Sequence, residues 1–254
     1  MTAKRNLLGL AWPALTDFFS ELGQPEYRAK QLMEWIYQHG VSDFNRMSNF
    51  PKELRQKLEE TAVVGAGEVI ARQVASDGTM KLAIAFAEQR IVECVILRYH
   101  HGITLCLSSQ VGCKMGCAFC ASGMHGFVDN LTTAEIIEQI WWANQELAAQ
   151  KQRVGHLVYM GMGEPLDNYL QVVNSIRFAN NSSTFNIGMR NITLSTSGLV
   201  PRIRQLAEED LSLTLSVSLH APVDYLRDQI MPINKRYPLA ELISAVREYV
   251  CLLA

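Results

Sequence analysis

The sequence predicts an α/β protein: a partial (β/α) barrel of largely parallel strands, with a small N-terminal helical domain and a short antiparallel β segment before it. Three observations predict this. From Ile103 onward, short β-forming runs alternate with loops and helical stretches. Residues up to about 62 show helical periodicity, and between them and Ile103 lie β-type runs broken by turn signals. The expected division is a helical domain over 1–62, an antiparallel extension over 63–102 and the partial barrel over 103–254.

In the first part, Ala14 to Leu22 reads as a short helix closed by Gly23. Ala29, Leu32, Met33 and Ile36 share one face of a second helix that Gly40 terminates. Pro51 opens a third, carrying Leu54 and Leu58. Basic and acidic residues are equal in number here, so Arg28, Lys30, Lys52, Arg55 and Lys57 read first as a solvated surface and second as a phosphate-contacting face. VIARQVA (69–75), KLAIAF (81–86) and RIVECVIL (90–97) follow as antiparallel strands, with Asp77-Gly78 as a turn signal. Glu93 alternates with Val92 and Cys94, as a solvent-facing residue on a half-buried strand does.

The barrel strands are expected at ITLCLS (103–108), HLVYMG (156–161), NITLS (191–195) and LTLSVSL (213–219). Thr132-x-x-Glu135 is a capping box opening a long helix, and further helices are expected from Tyr169 to Asn180, from near Pro201 and from Pro238 to about Leu253. In such folds ligands bind at the carboxyl ends of the strands. Four loops gather there: the cysteine segment, Gly161 to Pro165, Ser195 to Gly198, and Ser218 to His220.

Cys113, Cys117 and Cys120, spaced C-x3-C-x2-C, lie in the first of these loops. Three thiolates holding a [4Fe–4S] cluster leave one iron free for a chelating ligand, and when that ligand is S-adenosylmethionine the outcome is radical chemistry. A structural zinc is the rival, with His125 completing a Cys3His set, but a zinc knuckle does not need three further polar loops facing it. Glu164 suits the ammonium of S-adenosylmethionine, Ser195 and Ser218 its hydroxyls or carboxylate, and Gly161 and Gly163 a close backbone approach. Each of these also reads as ordinary loop or helix-cap chemistry.

Composition sets the outer bounds. With 254 residues, 48% hydrophobic and 19% charged, the chain can bury one large core plus an accessory domain. A net charge of −2 excludes a whole-chain electrostatic signature of nucleic-acid binding, so any RNA contact must come from local patches. There is no apolar run long enough to span a membrane, and Met1 to Trp12 has no cleavage site. Clustered thiols then read as metal chemistry in a cytoplasmic protein rather than as a disulfide framework.

The stretches TLCLSSQVGCKMGCAFC, GMGEPLDNY, ITLSTSGLVP and SVSLHAPVDYLRDQIMPINKRYP, with YRAKQLMEWIY near the N-terminus, resemble the RlmN/Cfr group of radical-SAM RNA methyltransferases, the RlmN branch most closely. The resemblance covers about residues 5 to 250 and implies a radical-SAM barrel that methylates C2 of an adenine in 23S ribosomal RNA, and in transfer RNA. It implies a [4Fe–4S] cluster on Cys113, Cys117 and Cys120, and S-adenosylmethionine contacts from Gly163, Glu164, Ser195, Ser218, Leu219 and His220. It further implies Cys106 as the cysteine that resolves a protein–RNA crosslink, Glu93 as a general base, RNA contacts from the N-terminal helices, and a reductant such as flavodoxin or ferredoxin.

An sp2 ring carbon is a poor nucleophile toward a sulfonium. The resemblance therefore implies that the methyl group is parked on a cysteine before a radical step carries it to the ring. That cysteine, in an AACGQL-like context, the last family strands and a cofactor-contacting asparagine have no counterpart here. Cys251 falls on the expected outer helix and reads as a buried helical cysteine. The chain is accordingly expected to lack a C-terminal part, to expose an apolar barrel edge, and to fall short of methyl transfer. The alternatives are a remnant that only cleaves S-adenosylmethionine, or a non-catalytic RNA-binding or zinc-stabilised module.

Overall fold

The structure is a computed structural model describing residues 4–124 and 126–253. One seven-stranded mixed sheet organises it. Its strands are β3 (Glu68–Val74), β4 (Met80–Ala87), β5 (Arg90–Tyr99), β6 (Gly102–Cys106), β9 (Val154–Tyr159), β10 (Ile192–Thr196) and β11 (Thr214–Val217). They lie in the spatial order β11-β10-β9-β6-β5-β4-β3. β6, β9, β10 and β11 pair in parallel, while β3, β4, β5 and β6 pair antiparallel. The expected antiparallel segment and the four-stranded parallel sheet are thus one continuous layer.

Alternation along the strands builds the core. Ile103 and Leu105, Leu157 and Tyr159, and Ile192 and Leu194 are buried on one face. They share a cluster with Ile136 and Ile140 of α5 (Thr133–Ala148), Val172 and Ile176 of α6 (Tyr169–Asn180), and Ile203 and Leu206 of α7 (Val200–Ala207). The opposite face carries Thr104, Cys106, His156, Thr193, Ser195, Thr214 and Ser216, because side chains two apart point the same way. The capping box of α5 forms as expected, with Thr132 and Glu135 exchanging hydrogen bonds.

The N-terminal helices are α1 (Trp12–Glu21), α2 (Tyr27–Met33) and α3 (Lys52–Thr61). β1 (Arg5–Asn6) and β2 (Ala62–Val63) pair in parallel and tie the two ends of this region together. The second helix does not run evenly to Gly40: from Glu34 to Gln38 it widens into a π-helical turn. That extra residue per turn directs Tyr37 at the barrel, where its ring meets Phe178 and Phe185 edge-on and its hydroxyl accepts the Gly9 N–H at 2.8 Å. A second join is Glu138 of α5, whose carboxylate accepts the N–H groups of Ala66 and Gly67. Arg28 and Arg55 donate to the carbonyls of Asn49 and Asn45, so these two guanidinium groups hold the helical domain together instead of forming a free basic face.

Beyond the β1–β2 pair, the expectations above also lack a hairpin of β7 (Gln110–Gly112) and β8 (Phe127–Asn130), a single turn α4 (Ala121–Met124), and α8 (Asp224–Ile230). The last helix, α9 (Leu239–Leu253), forms as expected, but Cys251 on it is exposed. Leu242, Ala245 and Tyr249 face inward, and two residues beyond Tyr249 the helix has turned about 200° to the far side. No helix among the described residues is long and apolar enough to cross a membrane.

Candidate functional site

The hairpin β7–β8 holds the cysteine loop between its arms. At its base Cys113 N–H donates to the Gly126 carbonyl at 3.0 Å. Gly112 sits at φ +75°, and a Cβ there would fall 1.8 Å from the Gly126 oxygen, so the neck closes only on glycine. Asn168, buried, donates to the carbonyls of both Ser109 and Leu131 and locks the hairpin to the loop after β9. The DN of the GEPLDN stretch is therefore scaffold.

Cys113, Cys117 and Cys120 line one pocket with a cavity volume of about 300 Å³. Glu164 from the tip after β9, Ser195 and Ser197 from the tip of β10, and Ser218 and His220 from the tip after β11 line it with them. Four loops distant in sequence thus share one cleft at the carboxyl ends of the parallel strands, where the topology places ligands. His220 adopts a left-handed φ of +58° and brings its ring to 4.6 Å from that of Phe119, between the second and third cysteines.

Glu164 is 3% exposed. One carboxylate oxygen accepts Ser197 N–H at 2.7 Å, and the other accepts Leu166 N–H at 3.1 Å. Burial pushes its pKa up, and the hydrogen bond from Ser197 N–H pulls it back. Gly161 and Gly163 line the pocket and are also tight against the neighbouring segment. A Cβ on the first would meet the Leu107 carbonyl at 2.6 Å, and one on the second would meet Gln110 at 2.6 Å. Their smallness serves the packing of this loop on the β6–β7 segment. Leu219 does not line the pocket, although its neighbours do.

Burial pushes the Cys113 thiol up and the Cys117 thiol to about 11, and for Cys117 the neighbouring Cys113, Cys120 and Glu164 act in the same direction. The raised values of Cys113 and Cys117 favour a cationic centre that deprotonates them. Among the described residues, no three His, Cys, Asp or Glu side chains close on a single point as one ion requires. A zinc ion draws all its donors to about 2.0–2.3 Å of one centre, whereas a cube offers each thiolate its own iron. His125, the fourth donor of the zinc alternative, lies outside the described residues. The pocket also contains a buried Ser197 hydroxyl with no protein partner. Three thiols, a buried acid and an orphaned hydroxyl fit a sulfur-ligated cluster beside a polar cationic nucleotide.

Cys106 and Glu93 do not line the pocket. Cys106 ends β6 opposite Val95, so Glu93, two residues from Val95, projects from the same sheet face. Burial pushes the Cys106 thiol up, against a hydrogen bond from the Met160 backbone. The Glu93 carboxylate stands 2.8 Å from Lys81 Nζ. Residue-by-residue reading missed Met231, Phe119 and Ser197 in the lining; Phe119 lies inside the cysteine motif and Ser197 inside the STSG tip, while Met231 follows α8, which was not expected.

Known proteins match along most of the chain. A family model for the ribosomal RNA large subunit methyltransferase N-terminal domain matches residues 5–64, and the radical SAM superfamily model matches 107–250. A probable dual-specificity RNA methyltransferase RlmN from Symbiobacterium thermophilum is 45% identical, over 97% of this chain and 66% of its own length. A protein of the same description from Clostridium novyi is 41% identical, over 96% of this chain and 71% of its own. The crystal structure of a radical SAM methyltransferase from Sphaerobacter thermophilus superimposes with a TM-score of 0.93 at 38% identity, covering 98% of this chain and 73% of that one. The chain spans about two thirds of the length of the curated relatives it matches.

Proposed function

Since the chain belongs to the RlmN family of radical-SAM RNA methyltransferases, we propose that it acts on C2 of an adenine in 23S ribosomal RNA and transfer RNA, using a [4Fe–4S] cluster and S-adenosylmethionine. The observation that carries this reading is the shared pocket of Cys113, Cys117 and Cys120 with Glu164, Ser195, Ser218 and His220. When bound, the cluster and the sulfonium nucleotide supply one-electron cleavage of a carbon–sulfur bond, fed by a carrier such as flavodoxin or ferredoxin. The three cysteines would hold the cluster. Glu164, fixed by two backbone N–H groups, would orient the ammonium of S-adenosylmethionine, and Ser195, Ser197 and Ser218 would receive its hydroxyls and carboxylate. Cys106 and Glu93, on one sheet face, would resolve a protein–RNA bond and remove the ring proton. The N-terminal helices would hold the RNA.

Anaerobic loading with iron and sulfide, followed by incubation with S-adenosylmethionine, reductant and RNA, tests this. 5′-Deoxyadenosine is the expected product, and methylated adenine beside it marks full transfer; absence of both overturns the reading. A narrower reading, cofactor cleavage without methyl transfer, draws support from one observation: none of Cys94, Cys106 and Cys251 lines the pocket. Release of 5′-deoxyadenosine with unmodified RNA selects it.

A further inference from the structure

The bulkiest fully buried side chain among the described residues is a charged one, Arg227 of α8, at 0% exposure. Its guanidinium is held entirely by neutral acceptors. Nε donates to the Leu219 carbonyl at 3.1 Å and Nη1 to Asn234 Oδ1 at 2.8 Å, while Nη2 donates to the carbonyls of Ser197 at 2.6 Å and Ser218 at 3.3 Å. No carboxylate lies within ion-pairing distance of it among the described residues. The nearby acids are otherwise engaged: Asp224 and Asp228 both accept from the Asn234 amide, and Asp224 also accepts Leu239 N–H. A guanidinium does not deprotonate to relieve its burial, and a buried charge is costly unless an opposite charge meets it.

The place of this charge, which no carboxylate contacts directly, is specific. Two of the carbonyls it gathers, those of Ser197 and Ser218, belong to loop tips that line the cysteine pocket. The helix that carries it also holds the cysteine loop, since Ala118 N–H, next to Cys117, donates to the Ile230 carbonyl at 2.9 Å.

We propose that Arg227 is a positioning residue for the cluster and nucleotide site, supplying the counter-charge for the thiolate ligand set and, through its planar fork, the spacing of the Ser197 and Ser218 loop tips. The inference rests on the cluster reading given under Proposed function. Charge and fork are separable functions, because lysine keeps the first and loses the second.

The test compares wild-type, Arg227→Lys and Arg227→Gln proteins after anaerobic loading with iron and sulfide. Iron and sulfide content, the midpoint potential of the cluster and the dissociation constant of S-adenosylmethionine are measured. For R227K the potential stays at the wild-type value while nucleotide affinity falls about ten-fold, the scale of one charge-assisted hydrogen bond. For R227Q the affinity falls similarly and the potential moves more negative, because a positive charge favouring the reduced cluster is gone. If R227Q does not fold, R227K alone decides, since a purely structural role has no reason to spare the potential while weakening the affinity. A loaded wild type whose potential and affinity are unchanged in both variants overturns this inference. A wild type that takes up no iron and sulfide overturns the cluster reading, and this inference with it.

Discussion

Ser197 donates its backbone N–H to a Glu164 carboxylate oxygen at 2.7 Å, joining the loop tips that follow β9 and β10 across 33 positions of sequence. Replacing Glu164 by alanine strands the buried N–H groups of Ser197 and Leu166, at a cost of about 1–3 kcal/mol for each donor left unsatisfied. E164A is expected to lower the urea midpoint and to abolish measurable S-adenosylmethionine binding by calorimetry. E164Q keeps one of the two acceptor oxygens and leaves one N–H unmet, so it should melt between E164A and wild type while still binding weakly.

Gly112→Ala should open the neck of the cysteine loop. The new Cβ lies 1.8 Å from the Gly126 oxygen and φ is +75°, so the backbone must move. The strain is on the order of 1–3 kcal/mol. Loss of iron after loading, with a modest fall in melting temperature, is the expected pair of results.

Cys113→Ala, Cys117→Ala and Cys120→Ala should each abolish the brown iron–sulfur absorption. C251A, altering an exposed residue on the outer helix, should leave it intact. Colour retained in any of the first three would remove that residue from the ligand set.

Much of this site was legible before any coordinates. The four parallel strands announce themselves through β-branched runs, and the polar tips that follow them carry GMGEP, STSG and SLH, so their convergence follows from topology alone. The hairpin β7–β8 was hidden because its arms are three and four residues long and enclose the cysteines. The π-helical turn was hidden because its widened hydrogen bonding answers to Phe178 and Phe185, remote in sequence. Arg227, flanked by acids in VDYLRDQI, lies on a helix that the sequence pattern did not signal, and only its burial marks it out. At Gly163 the sequence carries no sign of the close contact with Gln110, which is remote in sequence.

Glu138 makes a pH prediction. Burial raises its pKa, outweighing the N–H donors from Ala66 and Gly67. The unfolded value is about 4.3, so the folded chain holds this proton to higher pH. The carboxyl's contribution to stability is complete below that value and is lost as pH rises through the raised one. The stability of E138Q relative to wild type should therefore grow from about pH 4.3 upward, read as the difference in urea midpoints across a pH series. A difference independent of pH would refute it.

Lys30 and Trp12 line a groove of about 730 Å³ between the N-terminal helices and α6. If RNA is held by the N-terminal domain, K30A should lower the slope of log affinity against log salt by roughly 0.7–0.9 for the lost phosphate contact. W12A should weaken binding with the slope unchanged. Filter binding across a salt series measures both.

The widened turn at Glu34–Gln38 means that the helical domain is keyed to the barrel by rotational phase. Deleting one residue there would restore ordinary helical winding and satisfy local backbone preference. It would also remove the local offset that the wide turn provides, shifting the Tyr37 phenol relative to Gly9, Phe178 and Phe185. A locally more regular segment would then belong to a looser whole, its two halves free to turn against each other like an unpinned hinge.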